Sequence, residues 1–464
     1  MSNFVTRAAA GILLVSGFSS TVLAASPDPF AANNTVYPAV EDWQNKPMRV
    51  SNYAYPIKPV KSQWIAQRPS KHLSTETAPA YAAAVKRLIE RDISGLVNDP
   101  LNWSPTKVGW YDMPWGAQGS TMGNGKIDPL SGREALSGSY TGQILENVSY
   151  PVGERPEPTK FQNYSVAYYN DVAGVQLGKI WRNPFKPDIS AAKFPEGSIV
   201  VKVEGVNLTD RNWPTKQGGQ VLRGSSLSYV YRPSVDSIEN QPDPTQRKAE
   251  VIPTRFLQMA VRIKDSVASP KTGWVFIAFF YDSRSTGATV WDRTQPVGVE
   301  WGNDPECKQP SCNLKETWIN PQVPEFIKYG LGWGGRLAGP LDVGVRHNVV
   351  TVSGLRTEKG KPFPASSCVS CHSTAQYPFV ANLYPSPNMV FPEDGNQFLF
   401  FDPGSDQWMK WFENRPGNKP LSDRGRGDGI VALDYDLMLT FALSQANASA
   451  NSDVFVPRRR FSVH

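Results

Sequence analysis

Cys368, Cys371 and His372 stand in one short string, Cys368-Val369-Ser370-Cys371-His372, and carry the most specific chemistry in the sequence. The C-x-x-C-H spacing is that of covalent haem attachment. Two thiols add as thioethers across the two vinyl groups of a haem, and the adjacent imidazole coordinates the iron from the same local turn. The competing chemistry is thiol–disulfide exchange of the thioredoxin kind. That would call for a βαβ setting with the motif at a helix start. The strand-like Val349–Val352 followed by Pro364-Ala365-Ser366-Ser367 does not supply one. One haem c is expected, with Cys368 and Cys371 as thioether anchors and His372 as the proximal iron ligand.

The second axial position decides the chemistry. Met409, beside the aromatic residues of Gln407-Trp408-Met409-Lys410-Trp411-Phe412, is the first choice for a thioether ligand. Met389 in a Pro-flanked loop and Met438 in a C-terminal helical pattern are the alternatives. For each methionine, core packing is the competing role. The chain has four histidines in all; besides His372 and the terminal His464, His72 and His347 offer a bis-histidine arrangement. So few imidazoles leave little room for a second haem, a multi-histidine copper site or a histidine-based hydrolytic triad.

Cys307 and Cys312 lie in a turn-like stretch. They are read as a local disulfide, which suits an exported protein. The N-terminus supplies the address. Arg7, the apolar run 8–18 and the small-residue site Val22-Leu23-Ala24 form a secretory signal over residues 1–24. The run is too short to span a bilayer, which takes about 20 residues. A soluble bacterial protein of the periplasm or exterior is expected, with no membrane span after signal removal.

These residues need a scaffold, and the composition describes a globular one. Of the 464 residues, 40% are hydrophobic and 19% charged, proportions ordinary for a folded domain. The 37 Gly and 40 Pro make many turns. The net charge of +6 is too diffuse for a nucleic-acid footprint, which needs clustered Lys and Arg. Residues 25–76 read as an extended arm over the body. A helix is predicted over Ala78–Ile93, with Thr77 as N-cap and Val85, Leu88 and Ile89 at helical spacing. From 160 to 302 the period is two. Arg255–Lys264 places Leu257, Met259, Val261 and Ile263 on one face and Gln258, Arg262 and Lys264 on the other. That is the pattern of a strand with one buried face. Ser198–Val206, Gly273–Tyr281 and Val297–Trp301 are further strands, and the polar Arg232–Lys248 is a long surface loop. Strands without intervening helices predict an antiparallel sandwich. Gly330, Gly332 and Gly335 formally match a dinucleotide fingerprint. Neither the strand before it nor the helix after it is present, so Tyr329–Pro340 is read as a linker.

The motif near the end of an exported chain resembles the c-type cytochromes. Leu433–Ala448 resembles their C-terminal helix, with Tyr435, Leu437, Met438, Phe441 and Ala442 as its apolar face. The long N-terminal part resembles uncharacterised bacterial members of a cytochrome-c-like group. That likeness is carried by Gly132-Arg133-Glu134, Phe194-Pro195-Glu196-Gly197, Thr272-Gly273-Trp274-Val275-Phe276 and Trp301-Gly302-Asn303-Asp304-Pro305. The strand pattern gives a mainly β region over 25–340, with the N-terminal arm and one helix, and the cytochrome resemblance implies a small, mostly α, cytochrome-c-like haem domain over 341–464 after it. The chain departs from the family in the approach to the motif, where 346–366 reads as strand and turn instead of helix.

The expected function is that of an exported monohaem carrier. It would cycle Fe(III)/Fe(II) and exchange electrons with a redox partner protein or a small redox molecule. One alternative is a haem enzyme, a peroxidase or oxygenase with an open sixth position and His72, His347, Arg336 or Arg346 as distal groups. The other is a ligand-binding module, in which surface aromatics among Trp103, Trp110 and Trp115 would stack on the ligand, with the haem as a redox appendage.

Overall fold

The alternation over Arg255–Lys264 does build a strand, but one buried on both faces. A computed structural model of the chain describes residues 41–43, 51–69, 72–114, 140–146, 160–184, 186–207, 220–241, 243, 246–307, 313–323, 355–356, 367–379, 400–401, 405–421 and 429–451. Eight strands form one antiparallel sheet: β1 (Tyr140–Glu146), β2 (Lys160–Tyr169), β3 (Ile199–Val206), β4 (Leu227–Arg232), β5 (Glu250–Lys264), β6 (Trp274–Tyr281), β7 (Thr294–Glu300) and β8 (Thr317–Ile319). Their order is β1-β2-β3-β5-β6-β7-β8, with β4 on the first half of β5. Helices are α1 (Gln63–Gln67), α2 (Ala78–Asn98), α3 (Pro105–Val108), α4 (Asp171–Ile180), α5 (Val235–Asn240), α6 (Cys368–His372), α7 (Asp406–Trp411) and α8 (Leu437–Asn451). Two small antiparallel pairs, β9 (Leu355–Arg356) with β11 (Phe400–Phe401) and β10 (Gln376–Tyr377) with β12 (Val431–Ala432), complete the elements. Among the described residues no helix is long and apolar enough to cross a membrane.

The antiparallel expectation is met, while the second sheet of a sandwich is not found among the described residues. Helices and the C-terminal segment cover the sheet instead. On one face α2 lays down Val85, Ile89 and Ile93 against Val201, Val261, Ile277 and Val299. The helix runs past its predicted end at Ile93 to Asn98, because Leu96 and Val97 continue the same buried stripe. Thr77 does occupy its N-cap position, but its hydroxyl accepts from Ser74 N (2.9 Å) and caps nothing in the helix.

On the other face lies a second core. Ala173, Leu177 and Ile180 of α4 join Val369, Leu433, Tyr435, Leu439 and Leu443 of the C-terminal segment over Val200, Trp274 and Phe276 of the sheet. Helix α4 falls inside the stretch whose period suggests strands only. Its N-cap explains it: Asn170 Oδ1 accepts from Ala173 N and Ile199 N, both at 3.0 Å, turning the chain from β2 into the helix. Likewise α5 interrupts the predicted loop Arg232–Lys248. The arm before α2 is partly built in: Trp64 is buried, and its indole N–H and the Arg68 guanidinium both reach Asp265, at 2.8 and 2.9 Å.

Candidate functional site

One row of residues crosses five strands on the second face. Register pairs Tyr169 with Val200, Val200 with Arg262, Arg262 with Phe276, and Phe276 with Glu300. Side chains opposite one another on adjacent strands share a face. The row therefore presents a phenol, a methyl pair, a guanidinium, a phenyl ring and a carboxyl in line. The C-x-x-C-H helix α6 and the turn before α8 sit on it.

Helix α6 is a single turn started by a capping box. Ser370 N donates to Ser367 Oγ (3.0 Å), and Ser367 N donates to Ser370 Oγ (2.8 Å). Ser367 Oγ in turn donates to Asn303 Oδ1 at 3.1 Å, while Asn303 is clamped to Glu413 O and Asn414 Oδ1. At this spacing one turn carries both thiols and the imidazole. Cys368 and Cys371 are outside any disulfide, and each is partly buried.

His372 is fixed from behind. Its Nδ1 lies 3.0 Å from the Tyr435 carbonyl and 3.5 Å from Arg262 Nη1. Arginine only donates and a carbonyl only accepts. A deprotonated Nδ1 would face the carbonyl lone pair at hydrogen-bond distance, so the proton sits on Nδ1 and points at Tyr435 O. That leaves the Nε2 lone pair for a metal. Burial, reinforced by the Arg262 charge, pushes the imidazole pKa down to about 3, which keeps the ring neutral. The Phe276 ring packs on it with centroids 5.0 Å apart.

The Tyr435 carbonyl reaches this place through two consecutive residues in the left-handed region, Asp434 at φ 48° and Tyr435 at φ 67°. Non-glycine residues adopt that conformation at a cost of about 1–2 kcal/mol each. Charged anchors hold it. Asp434 accepts from Lys264 Nζ (2.6 Å), Trp274 Nε1 (2.8 Å) and Phe194 N (2.8 Å). Asp436 pairs with Arg262 Nη2 at 2.7 Å and accepts from Tyr169 Oη at 3.1 Å and Leu439 N at 3.0 Å. Arg262 Nη1 also donates to the Tyr435 carbonyl. Tyr435 therefore precedes α8 instead of lying on its apolar face, and Phe441, also expected there, is exposed. At the far end of the row Glu300 is fully buried. Its Oε2 accepts from Val369 N (3.2 Å) and its Oε1 has no hydrogen-bond partner; burial raises its pKa to about 8.

Three of the four segments on which the sequence-based expectation of a wider likeness rests meet here. Phe194-Pro195-Glu196-Gly197 supplies the amide on Asp434, Thr272–Phe276 supplies Trp274 and the ring on His372, and Trp301–Pro305 supplies Asn303. The fourth, Gly132-Arg133-Glu134, lies outside the described residues. Sequence reasoning misses these contacts because the alternation assigns Arg262 and Lys264 to a solvent face; they are 5% and 8% exposed. A signal is present. Arg262-x-Lys264 and Asp434-x-Asp436 have the same spacing, and in the fold they pair in reverse order.

The other candidates fall as follows. Met438 is partly buried and packs on the same core cluster as Cys368 and Cys371. Met409 is partly buried on α7. That helix is tied to the motif by Arg415, which donates to Lys410 O (2.6 Å) and to Ser373 Oγ (2.7 Å), the residue after His372. His72 is exposed just before α2, the helix that covers the opposite face of the sheet. Trp103 and Trp110 are buried, their indoles directed at Asp92 O (2.7 Å) and Asp92 Oδ2 (3.3 Å), so neither can stack on a surface ligand. Cys307 is disulfide-bonded. Residues 1–24, Trp115, Cys312, Gly330, Gly332, Gly335, Arg336, Arg346, His347, Met389 and His464 lie outside the described residues.

Among the described residues no group of three or more His, Cys, Asp or Glu side chains gathers to hold a bare metal ion. Iron that arrives inside a porphyrin asks less of the chain: two reachable thiols and one oriented neutral imidazole, and the residues fit that demand. The chain matches no protein-family model, no curated protein and no solved structure.

Proposed function

We propose that the protein is an exported monohaem c-type cytochrome that carries single electrons. Cys368 and Cys371 would hold the haem as thioethers and His372 would be its proximal ligand. The observation that carries this reading is the His372 Nδ1–H bond to the Tyr435 carbonyl, made from the turn that also holds two cysteines outside any disulfide. The bound haem supplies a reversible Fe(III)/Fe(II) couple. The chain's part would be to fix the ring plane of His372 through Phe276 and hold its proton on Nδ1.

The same geometry weighs against oxygen or peroxide activation. Such chemistry gains from a strongly donating proximal ligand that pushes electron density towards the iron. An anionic partner on Nδ1 would provide that push. The carboxylate that follows Tyr435, Asp436, is taken by Arg262 and Tyr169, and His372 meets a neutral carbonyl that a cation also binds. The signal segment, Met1 to Ala24, would direct export. The Cys307 disulfide suits an oxidising compartment. A redox protein or small redox molecule would be the partner, and Met409 is the first candidate for the sixth ligand.

The test is the optical spectrum of full-length protein matured in a host competent for c-type cytochromes, oxidised and reduced, with and without carbon monoxide. A covalent haem that is low-spin in both states and indifferent to carbon monoxide is expected. Binding of carbon monoxide together with peroxide turnover would replace the carrier by the haem enzyme. Absence of covalent haem would overturn both.

A further inference from the structure

Arg262 has a place that holding the haem does not require. A buried arginine could satisfy Asp436 alone, yet its Nη1 turns to the Tyr435 carbonyl that already receives the His372 Nδ1–H. One oxygen thus takes two donors, of which one is cationic, and the guanidinium stands 3.5 Å from the imidazole nitrogen. The arrangement links β5 directly to the electronics of the ring.

We propose that Arg262 is a positioning residue that raises the midpoint potential of the haem held by His372, by competing with His372 for the Tyr435 carbonyl. The inference rests on the haem reading above. A carbonyl polarised by a cation is a weaker acceptor, so the imidazole N–H is held less strongly and the ring has less imidazolate character. It then donates less to the metal. The ferric state depends on that donation more than the ferrous state, and it is also disfavoured by the nearby positive charge. Both effects have one sign. Asp436 opposes them, and its charge is shared among Arg262, Tyr169 and Leu439. The reaction is the uptake of one electron from a donor protein, with no bond made or broken in the chain.

The experiment is potentiometric titration of the full-length, haem-loaded protein and three variants, each first checked for covalent haem by its spectrum. Arg262→Gln leaves Asp436 uncompensated and the carbonyl free for His372, and its potential falls. Asp436→Asn leaves the guanidinium uncompensated, and its potential rises. Arg262→Lys keeps the charge and lies between wild type and Arg262→Gln. Each main shift is expected to change the equilibrium with a fixed reference couple about tenfold, roughly 59 mV for one electron. A merely structural arginine predicts shifts of the same sign in both variants, or none. Either result with intact covalent haem overturns the inference and leaves the haem reading standing. Should Arg262→Gln fail to fold, the sign of the Asp436→Asn shift decides. A wild-type protein without covalent haem overturns the haem reading itself and is recognised before any titration.

Discussion

Glu300→Gln should stabilise the protein at alkaline pH and do little at acid pH. Glu300 is fully buried, lacks a cation partner among the described ion pairs, and has a pKa of about 8 in the fold against an ordinary 4.5. With the folded pKa above the unfolded one, the folded state retains a proton that the unfolded state releases. The contribution of Glu300 is therefore fully present below pH 4.5 and declines as pH rises through 8. The slope is about 1.36 kcal/mol per pH unit, so about 5 kcal/mol is lost across that window. Glutamine offers the same acceptor to Val369 N and places an unpartnered amide where the unpartnered Oε1 now sits, so it reproduces the protonated acid and does not titrate. Thermal unfolding of both proteins from pH 4 to pH 9 gives the comparison. The difference should be near zero at pH 4–5, grow in favour of Glu300→Gln, and level off above pH 8. His372, whose pKa is lowered to about 3, acts in the opposite sense in protein without haem, costing stability as pH falls below 6.5. Asp304, raised by burial, acts in the same sense as Glu300. His372 is common to the two proteins and cancels in the difference, whereas the Asp304 charge is one of the causes that raise the Glu300 pKa and belongs to the effect measured. Parallel curves over the whole range would show that Glu300 is charged in the fold and would refute the reasoning.

Three further outcomes are expected. Ser367→Ala removes the cap of the motif helix and should lower stability by about 1 kcal/mol, read from the unfolding midpoint, while covalent haem content stays unchanged. Replacing Cys368 and Cys371 together by Ala should leave haem extractable under denaturing conditions, whereas each single variant should retain one thioether detectable by mass spectrometry. Met409→Ala should convert a low-spin haem to one that binds carbon monoxide. If Met438→Ala does so instead, the ligand comes from α8, beside the motif cysteines, and α7 serves only as cover.

How far the chain can be read from its residues depends on whether the information is local. The C-x-x-C-H string stands out because its three residues lie within one turn, and the main strands are legible because a period of two survives in single segments. What fails is the inference from polar to exposed. Arg262 and Lys264 alternate with Leu257, Met259, Val261 and Ile263 as a solvated face would, yet their carboxylate partners, Asp436 and Asp434, lie far away in the C-terminal segment. The same separation hides the true start of α8. Asp434 and Tyr435 continue a helical pattern in sequence, but the left-handed turn they adopt is held by Lys264, Trp274, Arg262 and Phe194, all contributed by the β-rich region. The sandwich expectation assumes that the second layer is β. The covering layer is instead the C-terminal segment, whose core residues Val369, Leu433 and Tyr435 are shared with Val200, Trp274 and Phe276. Burying a charge pair costs several kcal/mol per ion unless geometry and further hydrogen bonds offset it, and removing one partner is strongly destabilising. Two such pairs placed side by side between the sheet and the C-x-x-C-H helix therefore do more than fasten the segment. They admit one register of Asp434–Asp436 on β5, and that register is the one that brings the Tyr435 carbonyl to His372.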